Sequence, residues 1–243
     1  MIDRRRIETL GEEISVLGYG GMRFPKNGDQ VDVPAAVKLL RTAYEMGVNY
    51  FDTAVVYHKG ESEKIFGEAF SVYDRSTYYL ADKMSIWVCN SEQEMKDLFE
   101  RQLKTLKTDY IDFYLVHSLN RNHYQKVKQF HCVEFLQEMK RQGKIKHLGF
   151  SFHDTYPIFK EILDDYDWDF VQIQLNYLDW QNQGAEQLYR ELEKRNLPCM
   201  VMEPVRGGYL ANLDEKRAKP FLQAKPERSV AGWAIRWAAS LPQ

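Results

Sequence analysis

Six times in this chain a short run of β-branched and aromatic residues ends on a polar side chain, and a helical pattern follows before the next run begins. The runs 48–51, 78–81, 110–116, 145–150, 170–175 and 197–202 close on Asp52, Asp82-Lys83, His117-Ser118, Ser151, Asn176 and Glu203-Pro204. An earlier run at 14–20 makes seven expected strands. Strands returning about every 30 residues with a helix between them indicate βαβ units. Parallel strands buried on both faces account for the nearly unbroken apolar runs. Before them, residues 7–15 predict a hairpin turning at Leu10-Gly11-Glu12-Glu13. The segment 26–32, KNGDQVD, reads as a polar loop.

The helix signals agree with this spacing. Pro34 opens a helix whose apolar positions are Ala36, Val37, Leu40, Ala43 and Tyr44 and which Gly47 closes. Ser91 with Glu94 three residues on is a capping box. Further helices are expected over 127–142, 156–163, 185–194, 214–223 and 228–239. Two architectures compete, an open doubly wound sheet and a closed (β/α)8 TIM-type barrel. The barrel is favoured because chemically capable side chains close almost every strand, whereas an open sheet builds its site mainly at one switch point. The glycine-rich turn after strand one is GYGGM, without the GxGxxG spacing of a dinucleotide fold. The expected fold is thus a (β/α)8 barrel with an N-terminal hairpin, in one domain over 1–243, lacking strand eight and the last helix.

Thirty-three Lys and Arg stand against 35 Asp and Glu, a net charge of −2, with no long run of one sign. Neither nucleic acid nor a membrane surface is drawn to such a chain, and a small molecule is the expected partner. Cys89, Cys132 and Cys199 are far apart, which speaks against a zinc site or a disulfide framework in these residues. No signal peptide and no run of about 18 apolar residues is visible, so a cytoplasmic, reducing setting is expected.

The segments FDTAVVYHKGESE, LADKMS, DYIDFYLVHS, IKHLGFSFHD, FVQIQLNY and MEPVRGG occur in this order and cover nearly the whole chain. As a set they resemble the aldo-keto reductase family. The wording of YHKGESE, GFSFH and MEPVRGG is most similar to bacterial and archaeal members that carry a C-terminal ferredoxin-like iron-sulfur extension. That extension is not among these residues, and no iron-sulfur cluster is expected in them.

The resemblance implies a reductase that transfers hydride from NADPH, ahead of NADH, to an aldehyde or ketone. It places a catalytic tetrad on Asp52, Tyr57, Lys83 and His117. Each residue type suits the chemistry. Hydride addition to a carbonyl carbon builds negative charge on the oxygen, which needs a proton and a donor. Tyr57 is the expected acid. A cation about 4 Å away at an effective dielectric near 20 is worth about 4 kcal/mol, enough to pull a phenol well below its free value of about 10. Lys83 is that cation, Asp52 keeps it charged and in place, and His117 hydrogen-bonds the carbonyl oxygen as a neutral imidazole. For the cofactor the resemblance implies Gly21, Met22 and Asp52, then Ser151 and Gln172 at the carboxamide, and Met202, Glu203, Pro204, Arg206, Gly207 and Gly208 at the ring face and pyrophosphate. The chain departs from many relatives at Met202, where they have Tyr, and at Phe152, where they have Asn. Trp87 and Tyr124 are expected pocket walls.

A barrel of seven strands leaves strands one and seven with open edges. A longer protein continuing past Gln243, a strand borrowed from a second copy through self-association at the open edge, and a truncated relative without turnover are the alternatives. The function likewise has rivals: a catalytically impaired nicotinamide-binding or protein-docking module, or a bare scaffold.

Overall fold

In the computed structural model, which describes residues 2–242, the chain is an α/β protein with a seven-stranded parallel sheet flanked by helices. Its two compact units run up to Ser151 and from Phe152 onward.

The first unit begins with a hairpin, β1 (Arg4–Ile7) and β2 (Glu12–Ser15), paired antiparallel from Arg4↔Ser15 to Ile7↔Glu12. The turn therefore spans 8–11, with Gly11 at φ 72°. This corrects the expected first strand. Residues 14 and 15 belong to the hairpin, and the parallel strand β3 is only Tyr19–Gly20. A second unforeseen hairpin, β4 (Lys26–Asn27) and β5 (Gln30–Val31), replaces the polar loop, with Gly28 at φ 60° supplying the tight turn.

Helix α1 (Val33–Glu45) is capped by Asp32, which accepts the Ala35 N–H at 3.0 Å, and the chain leaves it through Gly47 at φ 102°. Then follow β6 (Tyr50–Asp52), α2 (Glu61–Phe70), β7 (Tyr79–Met84), α3 (Glu92–Leu106) and β8 (Ile111–Leu119). The Ser91 cap accepts the Glu94 N–H at 3.1 Å, but Glu94 returns its carboxylate to the N–H of Asn90, one residue before the box position. The helix expected over 127–142 is two helices, α4 (Arg121–Gln129) and α5 (Cys132–Arg141), broken where His131 takes φ 48°. β9 (Ile145–Phe152) follows.

Because side chains alternate along a strand, Tyr50, Asp52, Ala81, Lys83, Phe113, Leu115 and His117 share one face of this part of the sheet. The Tyr50 and Phe113 rings lie 5.2 Å apart on it. On the other face Phe51 packs on Phe70 at 4.5 Å and Tyr114 on Phe99 at 5.2 Å. Burial of each such ring stabilises by about 1.5–3 kcal/mol. At the N-terminal ends of the strands, buried Asp112 accepts from Arg75 and from Lys146 at 2.8 Å. His147 there meets Glu12 at 3.0 Å and ties the hairpin to β9.

The second unit holds α6 (Tyr156–Asp165), β10 (Phe170–Gln174), the short α7 (Asp179–Asn182), α8 (Ala185–Arg195), β11 (Cys199–Met202), α9 (Glu215–Ala224) and α10 (Val230–Ala239). β10 and β11 pair in parallel from Val171↔Cys199 to Gln174↔Met202. The strand order, β3-β6-β7-β8-β9-β10-β11, is sequential apart from the small hairpins. It is an incomplete (β/α)8 TIM-type barrel with no eighth strand among the described residues.

Candidate active site

Three of the four expected catalytic residues lie at the C-terminal ends of successive parallel strands, and a short turn carries the fourth to them. Asp52 ends β6, Lys83 lies in β7 and His117 in β8. Tyr57 opens a 3-10 turn, Tyr57–Gly60, in which His58 and Lys59 take left-handed φ of 50° and 57° before Gly60 leads into α2. The Lys83 ammonium, 1% exposed, is paired with Asp52 and donates to the Thr53 carbonyl at 2.8 Å. It stands 5.1 Å from the centre of the Tyr57 ring. Tyr57 meets His117 edge to face at 5.9 Å.

Burial pulls the Lys83 ammonium down, yet Asp52 and Tyr57 more than offset it and hold Lys83 above the ordinary lysine value. For Tyr57 the expected depression is corrected. Burial is the largest influence and pushes the phenol up; Lys83 opposes it, Asp52 works against Lys83, and the result lies above the free phenol value. Tyr57 is therefore protonated across the neutral range.

Sequence reasoning assigned nothing to Ser85, although it closes the quoted LADKMS. Its Oγ is 2.7 Å from Nδ1 of His117, so it helps to set the ring's orientation. His58, also left without a role, accepts the Phe24 N–H at 3.1 Å and stacks on Phe24 at 5.5 Å, anchoring the segment that holds Gly21 and Met22. Trp87 stands 5.0 Å from His117 and stacks on His123 at 4.6 Å. Tyr124 is buried at 2% exposure with Lys128 over its ring, which makes it core rather than wall.

Of the residues expected at the cofactor, Gly21 donates its N–H to the Asp52 carbonyl at 2.8 Å. A Cβ there would meet Ser62 Oγ at 2.5 Å and Phe66 at 2.6 Å, so its glycine is required by packing on α2. Met22 is half exposed. Ser151 is buried and its Oγ accepts the Ser118 N–H at 2.7 Å.

In the second unit Gln172 is buried on β10, and Glu203, Arg206, Gly207 and Gly208 all take positive φ in the turn after β11. A Cβ on Gly208 would meet nothing within 4 Å, while its N–H is given to the Val205 carbonyl at 3.1 Å and its carbonyl accepts from Asn212 at 3.1 Å. Arg206 is not an isolated cation: its Nε lies 3.3 Å from the buried carboxylate of Asp179. Asp179 in turn accepts from Gln174 at 2.8 Å and Asn176 at 2.7 Å. This buried carboxylate went unnoticed in the sequence, where nothing separates it from a surface helix residue.

A parallel barrel sheet with an ionisable cluster at the C-terminal ends of adjacent strands has the layout of a barrel enzyme. The model of the Aldo/keto reductase family matches residues 16–243, and the chain belongs to that family. It is 27% identical over 242 residues to the uncharacterized oxidoreductase YqkF of Bacillus subtilis, covering 95% of this chain and 72% of that protein. The holo form of aldo-keto reductase AKR11C1 from Bacillus halodurans superposes with a TM-score of 0.80 at 23% identity, covering 98% of this chain and 82% of that one. An aldo-keto reductase from Klebsiella pneumoniae in complex with NADPH gives 0.78 at 23% identity, covering 100% and 82%.

Proposed function

We propose that this chain is an oxidoreductase that reduces an aldehyde or ketone with NADPH, using Tyr57 as the acid and Lys83, Asp52 and His117 as its supports. The observation that carries the reading is the buried Lys83 ammonium, paired with Asp52, beside a half-buried, protonated phenol. NADPH, the ligand of the Klebsiella pneumoniae relative, supplies the hydride when bound.

The residues present fit such a cofactor by their chemistry. Arg206 and the exposed turn at Gly207 and Gly208, where no side chain blocks approach, suit phosphate. Ser151 and Gln172 suit a carboxamide, with Gly21, Met22, Met202, Glu203 and Pro204 as further candidate contacts. At the reacting end, Tyr57 gives its proton from Oη to the oxygen of the carbonyl being reduced. An alkoxide is a stronger base than a phenolate, so the transfer is favourable even from a phenol whose proton is held tightly. The Lys83 ammonium then stabilises the phenolate. With Ser85 donating to Nδ1, His117 keeps its hydrogen on Nε2 and offers it to the same oxygen.

Within the family, the wording of YHKGESE, GFSFH and MEPVRGG supports kinship with members bearing an iron-sulfur extension. Self-association at the open strand edges is a further proposal. Titrating NADPH into the chain while following tryptophan fluorescence, then adding a panel of aldehydes and ketones and following nicotinamide absorbance, tests the reading. Quenching followed by carbonyl-dependent oxidation is expected. Quenching alone would favour a binding module, and no response a scaffold.

A further inference from the structure

On the face of β7 turned away from Tyr57, four polar side chains are buried together: Asp82, Gln102 and Tyr114 at 0% exposure and Glu63 at 4%. Asp82 Oδ1 accepts the N–H of Lys83 at 2.8 Å. From α3, Gln102 Nε2 donates to the Lys83 carbonyl at 3.0 Å and to Glu63 Oε1 at 2.9 Å. The Tyr114 hydroxyl donates to Gln102 Oε1, which fixes which way the amide points. The main chain of Lys83 is thus gripped at its N–H and at its C=O by side chains from outside the tetrad.

Asp82 Oδ2 meets no donor group among the described residues, the Glu63 carboxyl lies within hydrogen-bonding reach of the Asp82 carboxyl, and neither is hydrogen-bonded to a cation. The charged and titratable groups facing the pair are Lys83 on the same strand, Asp52 on β6, Arg101 on α3 and Tyr114 on β8. Two adjacent carboxylates in such a place are costly unless one keeps a proton. Burial, and then the charge of Glu63, push Asp82 well above the ordinary carboxylate range, and burial pushes Glu63 up as well.

We propose that Asp82, Glu63 and Gln102 are positioning residues for Lys83, holding its main chain from the helix side of the sheet with one proton kept between the two carboxyls. The catalytic consequence rests on the carbonyl-reductase reading. With the proton in place the pair carries a single negative charge, and the field of Lys83 at Tyr57 is opposed by Asp52 and that one charge. Loss of the proton adds a second anion behind the lysine and weakens its support of the phenolate, so turnover falls at alkaline pH.

Infrared difference spectra of the unsubstituted chain test the shared proton directly. A neutral carboxylic-acid band is expected at neutral pH, present also in Tyr57→Phe and absent in Asp82→Asn. Its absence from the unsubstituted chain would overturn the proposal, with no variant required to fold. In kinetics, Asp82→Leu is expected to lose about 10-fold or more in kcat with KM for NADPH within about 2-fold, as for a small misplacement of a catalytic group. Asp82→Asn, which keeps an acceptor for the Lys83 N–H, restores most of that loss and moves the alkaline limb of kcat to higher pH. Equal kcat in Asp82→Leu and the unsubstituted chain, or an alkaline limb unmoved in Asp82→Asn, would refute the positioning role. If the unsubstituted chain reduces no carbonyl, the functional reading fails, and the infrared band still tests the proton.

Discussion

Replacing Asp52 by Asn removes the carboxylate paired with a lysine that is 1% exposed. The ammonium keeps the Thr53 carbonyl at 2.8 Å and the Tyr57 hydroxyl, and gains the amide oxygen of the new side chain. Breaking one side of a buried ion pair costs about 3–5 kcal/mol, and the retained acceptor places this substitution near about 3 kcal/mol at pH 7. The pH dependence has a definite sign. In the unsubstituted chain Lys83 is held above its ordinary value, so its contribution is present below pH 10.5 and lost above. Without Asp52, burial dominates and the folded-state value falls below the unfolded one. The variant is then penalised while lysine is charged and relieved as it neutralises. Urea unfolding followed by tryptophan fluorescence at pH 7 and again near pH 10 measures both. With a denaturant slope of about 3 kcal/mol per molar, the midpoint should drop by about 1 M at pH 7, and the gap should narrow at the higher pH. An unchanged midpoint, or a gap that widens with pH, would refute the reasoning.

Removing the hydroxyl in Ser85→Ala frees the His117 ring to change tautomer, and a loss of about 10-fold in kcat with unchanged NADPH affinity is expected from steady-state kinetics and fluorescence titration. Gly67→Ala would put a Cβ 2.3 Å from the Thr105 carbonyl oxygen where α2 meets α3; the strain of about 1–3 kcal/mol outweighs the helix-propensity gain of about 1 kcal/mol, so the urea midpoint should fall. At Glu12, burial pushes the carboxyl up, but His147 and Tyr79 bring it below the ordinary value. Glu12→Gln should therefore lose about 1 kcal/mol above pH 4.5, with the difference from the unsubstituted chain vanishing as pH falls below it.

Periodicity and turn residues located six of the seven strands of the parallel sheet to within a few residues; the first was the exception. There the apolar run 14–20 merged a hairpin strand with the two-residue β3, because hydrophobicity carries no record of which partner a strand pairs with. The break at His131 was hidden for a similar reason: apolar spacing continues across it while the backbone turns left-handed. The meeting of Asp52, Lys83 and His117 was legible because each ends or nears the end of a strand, and the barrel layout places such residues together. What lay behind them was not. Glu63 and Gln102 are 39 residues apart and look like ordinary helix positions, and Asp82 is masked by the lysine beside it. The direction of the Tyr57 shift also escaped, since a charge can be read from sequence while the desolvation that outweighs it cannot.

Single-turnover transfer of deuterium from C4-labelled NADPH tests the central claim most directly. With an aldehyde present, the unsubstituted chain should place the label on the carbon of the product alcohol. Tyr57→Phe should bind the labelled cofactor equally well and place almost none. No labelled alcohol from the unsubstituted chain, or equal labelling by Tyr57→Phe, would contradict the account.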